Sequence, residues 1–390
     1  MGNVHSVNAG LIINSAKRTE VTMNKYFYLL FILILPLLIS SCDYSNKPAR
    51  GPEDEIYVVA DSAEFLELQY ALDSTFQKTI FTPQPENLFN LVRVSPNQLE
   101  KYKRRKNIII IAPLNSTSVT SQFIKSVTDS VIINKFKSEE DFTLIKYDLW
   151  AKDQIVMILS APTMQALEFK ILKEKDNLLY SFQKISDQRL YKSLYNSQYE
   201  QKEVEGHFLK NYGWIIYVQA DFKVAMEKPE DNFVWLRRSP GSDMERWLFI
   251  HWIDNATPAY LNEDSIKAVR NRLTQKYYQT SDDSGFVVLV ENYFTLNEVN
   301  FKGRYALMIQ GLWDLNIKGM GGPFISYTFF DEKTKRIYMI DGSVYAPKYY
   351  KRNLIHQMDV TLQSFMTEAE VPKDRLDDLL EEAENYSIIK

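Results

Sequence analysis

Cysteine is almost missing: 390 residues hold a single one, Cys42. That excludes a disulfide framework. The four histidines include no His-x-x-x-His pair, so the ligand spacing of a zinc site is missing too. Neither a Gly-x-Ser-x-Gly elbow nor a Gly-x-x-x-x-Gly-Lys loop followed by Ser or Thr occurs, which removes the usual signs of serine-nucleophile and phosphate-loop chemistry. Charge of one sign is lacking as well. Lys plus Arg is 46 against 50 Asp plus Glu, a formal −4, which repels phosphate backbones, so nucleic acid is not an expected partner. Only one apolar stretch, near the start, approaches membrane-spanning length, which excludes a channel or transporter. No metal and no cofactor is expected. What remains is ordinary globular material, 45% hydrophobic and 13% aromatic, with length for about two domains.

The start carries an address. Met23-Asn-Lys is followed by an apolar run from Tyr26 to Ile39, broken by Pro36, and then by Ser40-Ser41-Cys42. A positive start, a short apolar core and small residues before a cleavage point are the parts of a secretory signal. Ile39-Ser40-Ser41-Cys42 resembles a bacterial lipobox, with Ile39 where Leu is commoner. The resemblance implies cleavage before Cys42, acylation of that residue and an anchor in a cell-envelope membrane. Residues 1–22 precede a complete signal and read as a misassigned start, so 1–41 is excluded from the fold. Loss of Lys17, Arg18, Lys25 and Glu20 shifts the formal charge from −4 to −6. Residues 42–55, with Pro48, Gly51 and Pro52, read as a flexible lipidated tether.

Periodicity divides the rest. A strand at Ile56–Ala60 precedes a helix with Phe65, Leu68, Leu72 and Phe76 on one face. Strands follow at Phe89–Val94 and Asn107–Ala112, then a helix with Val119, Phe123, Val127 and Val131 on one face, a hairpin of Phe142–Tyr147 with Gln154–Leu159, and a helix through Leu167 and Ile171. The expected domains are an N-terminal α/β module over 56–178, a helical connector over 179–210, a C-terminal α+β module over 211–367 and an acidic tail over 368–390, read as a solvated helix. The second module has strands at Trp214–Val218, Phe233–Arg237, Trp247–Ile253, Phe286–Val290, Tyr305–Trp313, Phe324–Phe330 and Arg336–Ile340, and a closing helix with Leu354, Met358, Leu362 and Phe365. The fold class is α+β: two tandem α/β modules with largely antiparallel sheets flanked by helices. Phe89-Asn-Leu-Val-Arg93-Val-Ser95-Pro96 matches Phe233-Val-Trp-Leu-Arg237-Arg-Ser239-Pro240. Either the unit is duplicated, or two strands share a common Ser-Pro ending.

Candidate site residues gather in the second half. Six of 13 glycines fall at 303, 311, 319, 321, 322 and 342, and Gly319-Met-Gly321-Gly322-Pro323-Phe324 reads as a flexible loop between strands. Four of six tryptophans lie between 214 and 252, and Trp235 neighbours Arg237 and Arg238, residue types that stack on sugars or partner side chains. The candidate binding surface is therefore Trp235, Arg237, Arg238, Trp313, Gly319, Gly321, Gly322 and Tyr345, set against a Trp-rich core with Arg at a strand end. Asp314, Asp331 and Asp341 are the acids nearest the glycine segment and would serve a glycan hydrolase if two faced one cleft. The basic run Lys101, Lys103, Arg104, Arg105, Lys106 reads as a headgroup contact or as a solvated turn before a buried strand. Asp-Ser triplets at Asp61, Asp73, Asp129 and Asp264 resemble O-glycosylation acceptors of Bacteroidetes periplasmic proteins, and are equally helix caps.

Asn232-Phe-Val-Trp-Leu-Arg237, Gly311-Leu-Trp313, the glycine segment, Val344-Tyr-Ala-Pro347 with Lys351-Arg352, Pro83-Gln-Pro-Glu86 and Trp150-Ala-Lys152 together resemble an uncharacterised family of Bacteroidetes envelope lipoproteins, catalogued only as a domain of unknown function. Asn87 departs from it where a proline is expected. The resemblance implies an envelope lipoprotein on the periplasmic side of the outer membrane and supplies no catalytic residue. The expected function is a non-catalytic, membrane-anchored binding or assembly factor for a protein partner or a glycan. The alternative is an envelope hydrolase acting on peptidoglycan or polysaccharide.

Overall fold

The computed structural model describes residues 47–317 and 319–386, so Cys42 and the signal segment lie outside the described residues. The first module opens with β1 (Glu55–Val59), α1 (Ser62–Phe76), a small hairpin of β2 (Thr79–Ile80) and β3 (Glu86–Asn87), β4 (Asn90–Val94), α2 (Leu99–Tyr102) and β5 (Asn107–Ile111). It continues through α3 (Val119–Val127), α4 (Ser130–Lys137), β6 (Thr143–Tyr147), β7 (Ile155–Leu159), α5 (Met164–Lys173) and α6 (Lys175–Leu194). The sheet order is β4-β1-β5-β7-β6. Three ladders are parallel, and β6 adds antiparallel to β7 as the expected hairpin. The four isoleucines of β5 are buried on both faces, the pattern of a central parallel strand covered by helices.

The second module comprises α7 (Lys202–Tyr212), β8 (Trp214–Ile215), β9 (Phe222–Lys228), β10 (Phe233–Arg238), β11 (Glu245–Ile253), α8 (Glu263–Tyr277), β12 (Val287–Phe301), β13 (Arg304–Leu315), β14 (Gly321–Asp331), β15 (Arg336–Tyr345), α9 (Arg352–Leu362), β16 (Met366–Thr367) and α10 (Lys373–Glu382). Its seven-stranded sheet, β12-β13-β14-β15-β11-β10-β9, is antiparallel throughout. One face packs Ile250, Ile325 and Ile340 against Phe208 of α7 and Met358 and Leu362 of α9. The other packs Phe249, Ile309 and Trp313 against Ile266 and Leu273 of α8. At Gly342 an added Cβ would stand 2.9 Å from Met358 Cβ, so glycine is what lets α9 settle on the sheet. The α+β class with two modules in tandem is as expected.

Four local expectations are corrected. The helix proposed through Val131 breaks at Thr128, which is extended, because the Asp129 carboxylate caps a new helix at Ile132 N; Val119, Val127 and Val131 are exposed, while Ile124 and Phe136 fill the core. Gly321 and Gly322 belong to β14, not to a loop; an added Cβ at Gly322 would stand 1.9 Å from Val344 O. The tether is pinned from Lys47 onward, with Ala49 N donating to Lys152 O (2.9 Å) and Arg50 N to Arg104 O (2.7 Å). The acidic tail docks rather than floats: Leu379 of α10 is fully buried, and Arg375 bonds Glu205 of α7 at 2.7 Å. The two Phe-to-Ser-Pro segments also differ in setting. β10 and β11 form a hairpin, whereas β1 lies between β4 and β5, so the duplicated-unit reading finds no common topology.

The tail contact is tight enough to test. An added Cβ at Gly206 would stand 2.0 Å from Leu379 O, a backbone atom that cannot swing aside. Gly206→Ala should therefore cost about 3 kcal/mol in urea unfolding and speed hydrogen exchange over 373–382. Gly303→Ala, at φ +87 with open space around it, should cost only about 1 kcal/mol and leave the tail protected.

Candidate functional site

A buried carboxylate links the modules. Glu86, on the hairpin of the first module, accepts from Lys351 N (2.9 Å) and Arg352 N (2.8 Å) at the start of α9 in the second. It acts as an N-cap supplied from another module, satisfying orphan helix amides where the helix dipole favours an anion. Arg352 answers by donating Nε to Leu88 O (3.0 Å) and lying 5.2 Å from the ring centroid of Phe89. Farther along, Tyr195 donates to Val360 O at 2.9 Å.

Held this way, α9 and strands β12 to β14 stand opposite α6 and the β2–β3 hairpin across a cleft of about 640 Å³. Its lining mixes apolar groups (Phe81, Met308, Ile355) with amides (Gln183, Asn297, Gln310). A concave volume of this size, apolar with a few converging polar groups, is the usual form of a small-ligand site. The titratable groups come from facing helices. His356 Nε2 lies 2.7 Å from Asp187 Oδ1 across the cleft. One turn along α9, Asp359 accepts from Tyr327 OH (2.7 Å) and Gln363 Nε2 (3.1 Å). Burial, reinforced by the nearby Asp187 charge, raises the Asp359 pKa above the ordinary aspartate value. Ser186 Oγ, almost fully buried, lines the same cleft without a hydrogen-bond partner among the described residues.

Of the residues singled out from the sequence, Trp235, Trp313 and Tyr345 meet on the α8 face of the second sheet, Trp313 as core and the other two half-buried, whereas Arg238 lies on the other face beside Phe222. Trp313 is 1% exposed; its ring lies tilted 4.9 Å from that of Trp247 and 6.4 Å from half-buried Tyr345. Half-buried Trp235 packs on Tyr278 at 4.6 Å. Arg237 forks onto Glu245 (2.6 and 2.8 Å), which also accepts from Trp247 Nε1 at 2.7 Å. Burial pushes the Glu245 pKa up, but these donors pull it below the usual value. Arg238 pairs with Asp221 at 2.5 Å. Gly321 and Gly322 are strand residues, and Gly319 sits at φ +144 in the turn before them. The Trp-rich layer under α8 is thus largely packed within the module, with Trp235 and Tyr345 half-buried at its edge.

Two of the three acids have partners, and Asp314 is exposed. Asp341 is fully buried against Arg270 at 2.7 Å, Asp331 caps Thr334 and lies 3.4 Å from Arg304, and Asp314 sits near the end of β13. They line no common cleft. The other histidines among the described residues have structural partners: His207 meets Glu227 at 2.8 Å, and His251, 3.0 Å from Asn232 O, has its pKa driven down to about 4 by burial. Sequence reading passed over Asp187, His356 and Asp359, since no spacing connects α6 to α9. The one local sign was His356 and Asp359 at i and i+3 of the closing helix.

The Asp359 shift has a fixed sign. A carboxyl whose folded pKa is raised binds more protons folded than unfolded, so it destabilises the fold as pH climbs from the ordinary aspartate range through the folded value. Asp359→Asn should flatten that fall in a pH series of thermal unfolding. Asp187→Asn, which removes the neighbouring charge, should make Asp359 titrate at lower pH by carboxyl NMR.

Residues 49–195 match the family model described as a domain of unknown function (DUF8532), and residues 200–364 match another so described (DUF4837). No curated protein matches the chain. Among solved structures, the Saccharomyces cerevisiae Ran-binding protein Mog1p is similar at 10% identity and a TM-score of 0.27, covering 40% of this chain and 90% of its own. A point mutant of Mog1 scores 0.26 at 10% identity, covering 42% and 94%. Likeness at these scores carries no argument. The cleft therefore lies where two family domains of unknown function, DUF8532 and then DUF4837, meet in tandem within one chain.

Proposed function

We propose that this protein is a binding or assembly factor of the cell envelope, anchored by acylated Cys42, that recognises a glycan in the cleft between its modules. The observation that supports this reading is the cleft itself: about 640 Å³, with amide side chains from both modules around an apolar floor. Amides donate and accept at once, which suits ligands bearing many hydroxyl and acetamido groups. Phe81 at the rim offers an aromatic face to a sugar ring. A concavity of this size takes a short oligosaccharide more readily than a protein surface, which needs a broad contact area.

Calorimetry with oligosaccharides released from peptidoglycan and envelope polysaccharide tests the reading. Binding should weaken by about tenfold in Gln310→Ala, the loss of one or two hydrogen bonds. Both Gln310 and Asn297 are exposed, so their alanine variants should stay folded. Binding unchanged in folded Gln310→Ala and Asn297→Ala would remove the cleft from consideration.

A second reading, hydrolysis of the bound glycan, is favoured by one observation: His356 is oriented by Asp187 while burial favours the protonated form of Asp359, a base and an acid facing one cavity. If it holds, His356→Ala keeps oligosaccharide binding and abolishes product formation. Tight binding without turnover by the unaltered protein leaves the binding role.

A further inference from the structure

The anchoring end of the first module has a built surface. β1, β5 and β7 run parallel, so the segments entering them, 47–54, 103–106 and 148–154, lie together at one end of the sheet. They are stitched there: besides the two bonds given above, Lys152 N donates to Lys47 O (3.0 Å), Lys106 N to Arg50 O (3.2 Å) and Arg104 Nη2 to Pro48 O (2.9 Å). Lys47 is thus held against the body of the module. Only residues 43–46 separate it from Cys42, and five residue steps reach at most about 18 Å even when fully extended. An acylated Cys42 would hold this end of the sheet within that distance of the lipid.

The same end suits such a surface chemically. Most of its acids are engaged: Glu53 with Lys106 (2.8 Å) and Arg189, Glu100 with Lys103, and Asp153 with Lys192, while Asp148 caps Gln154 N and half-buried Asp54 accepts from Asn90 Nδ2 at 3.4 Å. Among the described residues Arg50, Lys101, Arg104, Arg105 and Lys152 form no ion pair, and Arg50, Lys101 and Lys152 are exposed. Beside them stand Tyr147 and Leu149, 51% and 41% exposed, and Trp150, whose ring lies 5.6 Å from Lys103 Nζ. Unpaired cations mixed with Trp, Tyr and Leu match a headgroup layer, where aromatic rings sit at the interface and each basic residue gains from anionic lipid. From this juxtaposition we propose that the strand-entry end of the first module is a membrane-facing surface that contacts anionic phospholipid headgroups through Arg50, Lys101 and Lys152. The contact rests on acylation of Cys42. It turns the anchor from a loose leash into a docking geometry.

The test reconstitutes the envelope-extracted chain into vesicles of phosphatidylcholine with or without phosphatidylglycerol, labels lysines with a water-soluble amine reagent and reads each site by mass spectrometry. Lys101 and Lys152 should label about fivefold more slowly on anionic vesicles than in detergent, the worth of one basic residue at such a surface. Salt should relieve the protection. Lys125, which reaches Ser116 O beyond the opposite end of β5, should label alike in both. Equal labelling of Lys101 and Lys152 in vesicles and detergent, with acylated Cys42 confirmed by mass, overturns the docking surface alone. An unmodified Cys42 overturns the anchor and the surface together.

Discussion

A carboxylate from one module caps a helix of the other, and the rest of the architecture depends on that contact. Glu86 is buried, and two amides at the start of α9 and the positive end of that helix face its carboxyl oxygens and satisfy them there. Hydrogen bonds to a charged group of this kind contribute about 2 kcal/mol each. The contact sets the angle of α9, and α9 carries His356 and Asp359. The cleft therefore inherits its geometry from a hairpin far from α9 in sequence.

Why a cleft exists follows from how the second sheet is covered. The core under α7 and α9 runs across this face from β9 to β14 and takes in Phe301 and Ala306 at the hairpin end of β12 and β13, but it leaves the middle of those outer strands only partly buried. That stretch would expose Met308 and Val299 to water. The first module stands over it instead, at a distance that leaves room for a ligand. On the opposite face α8 covers the middle of the sheet, which is why Trp313, Trp247 and the Arg270–Asp341 pair are interior.

Much of this could be read from residue order. The isoleucines of β5, the apolar stripe of α1, the hairpin of β6 with β7 and the strands β10, β11 and β13 to β15 all announce themselves by local periodicity, because each buries a regular face. What local pattern could not carry was decided by contacts between distant segments. The glycines look like a ligand loop until the strand behind Gly322 and the helix over Gly342 are in place. Trp235 beside Arg237 looks like a recognition surface until Glu245 takes the guanidinium. Asp129 was legible as a cap, and its consequence, a break before Val131, was the part left unread. Asp187 and His356 stand 169 positions apart, and only the docking of one module on the other makes them partners.

The most direct measurement is hydrogen exchange of the Lys351 and Arg352 amides in Glu86→Ala. If the carboxylate is the keystone, both amides lose protection, and the first turn of α9 and the segment around Asp187 exchange faster with them, while the sheet cores of the two modules stay protected. Unchanged protection of α9 and of the cleft in folded Glu86→Ala would contradict the account, because the modules would then be held in register by something other than this cap.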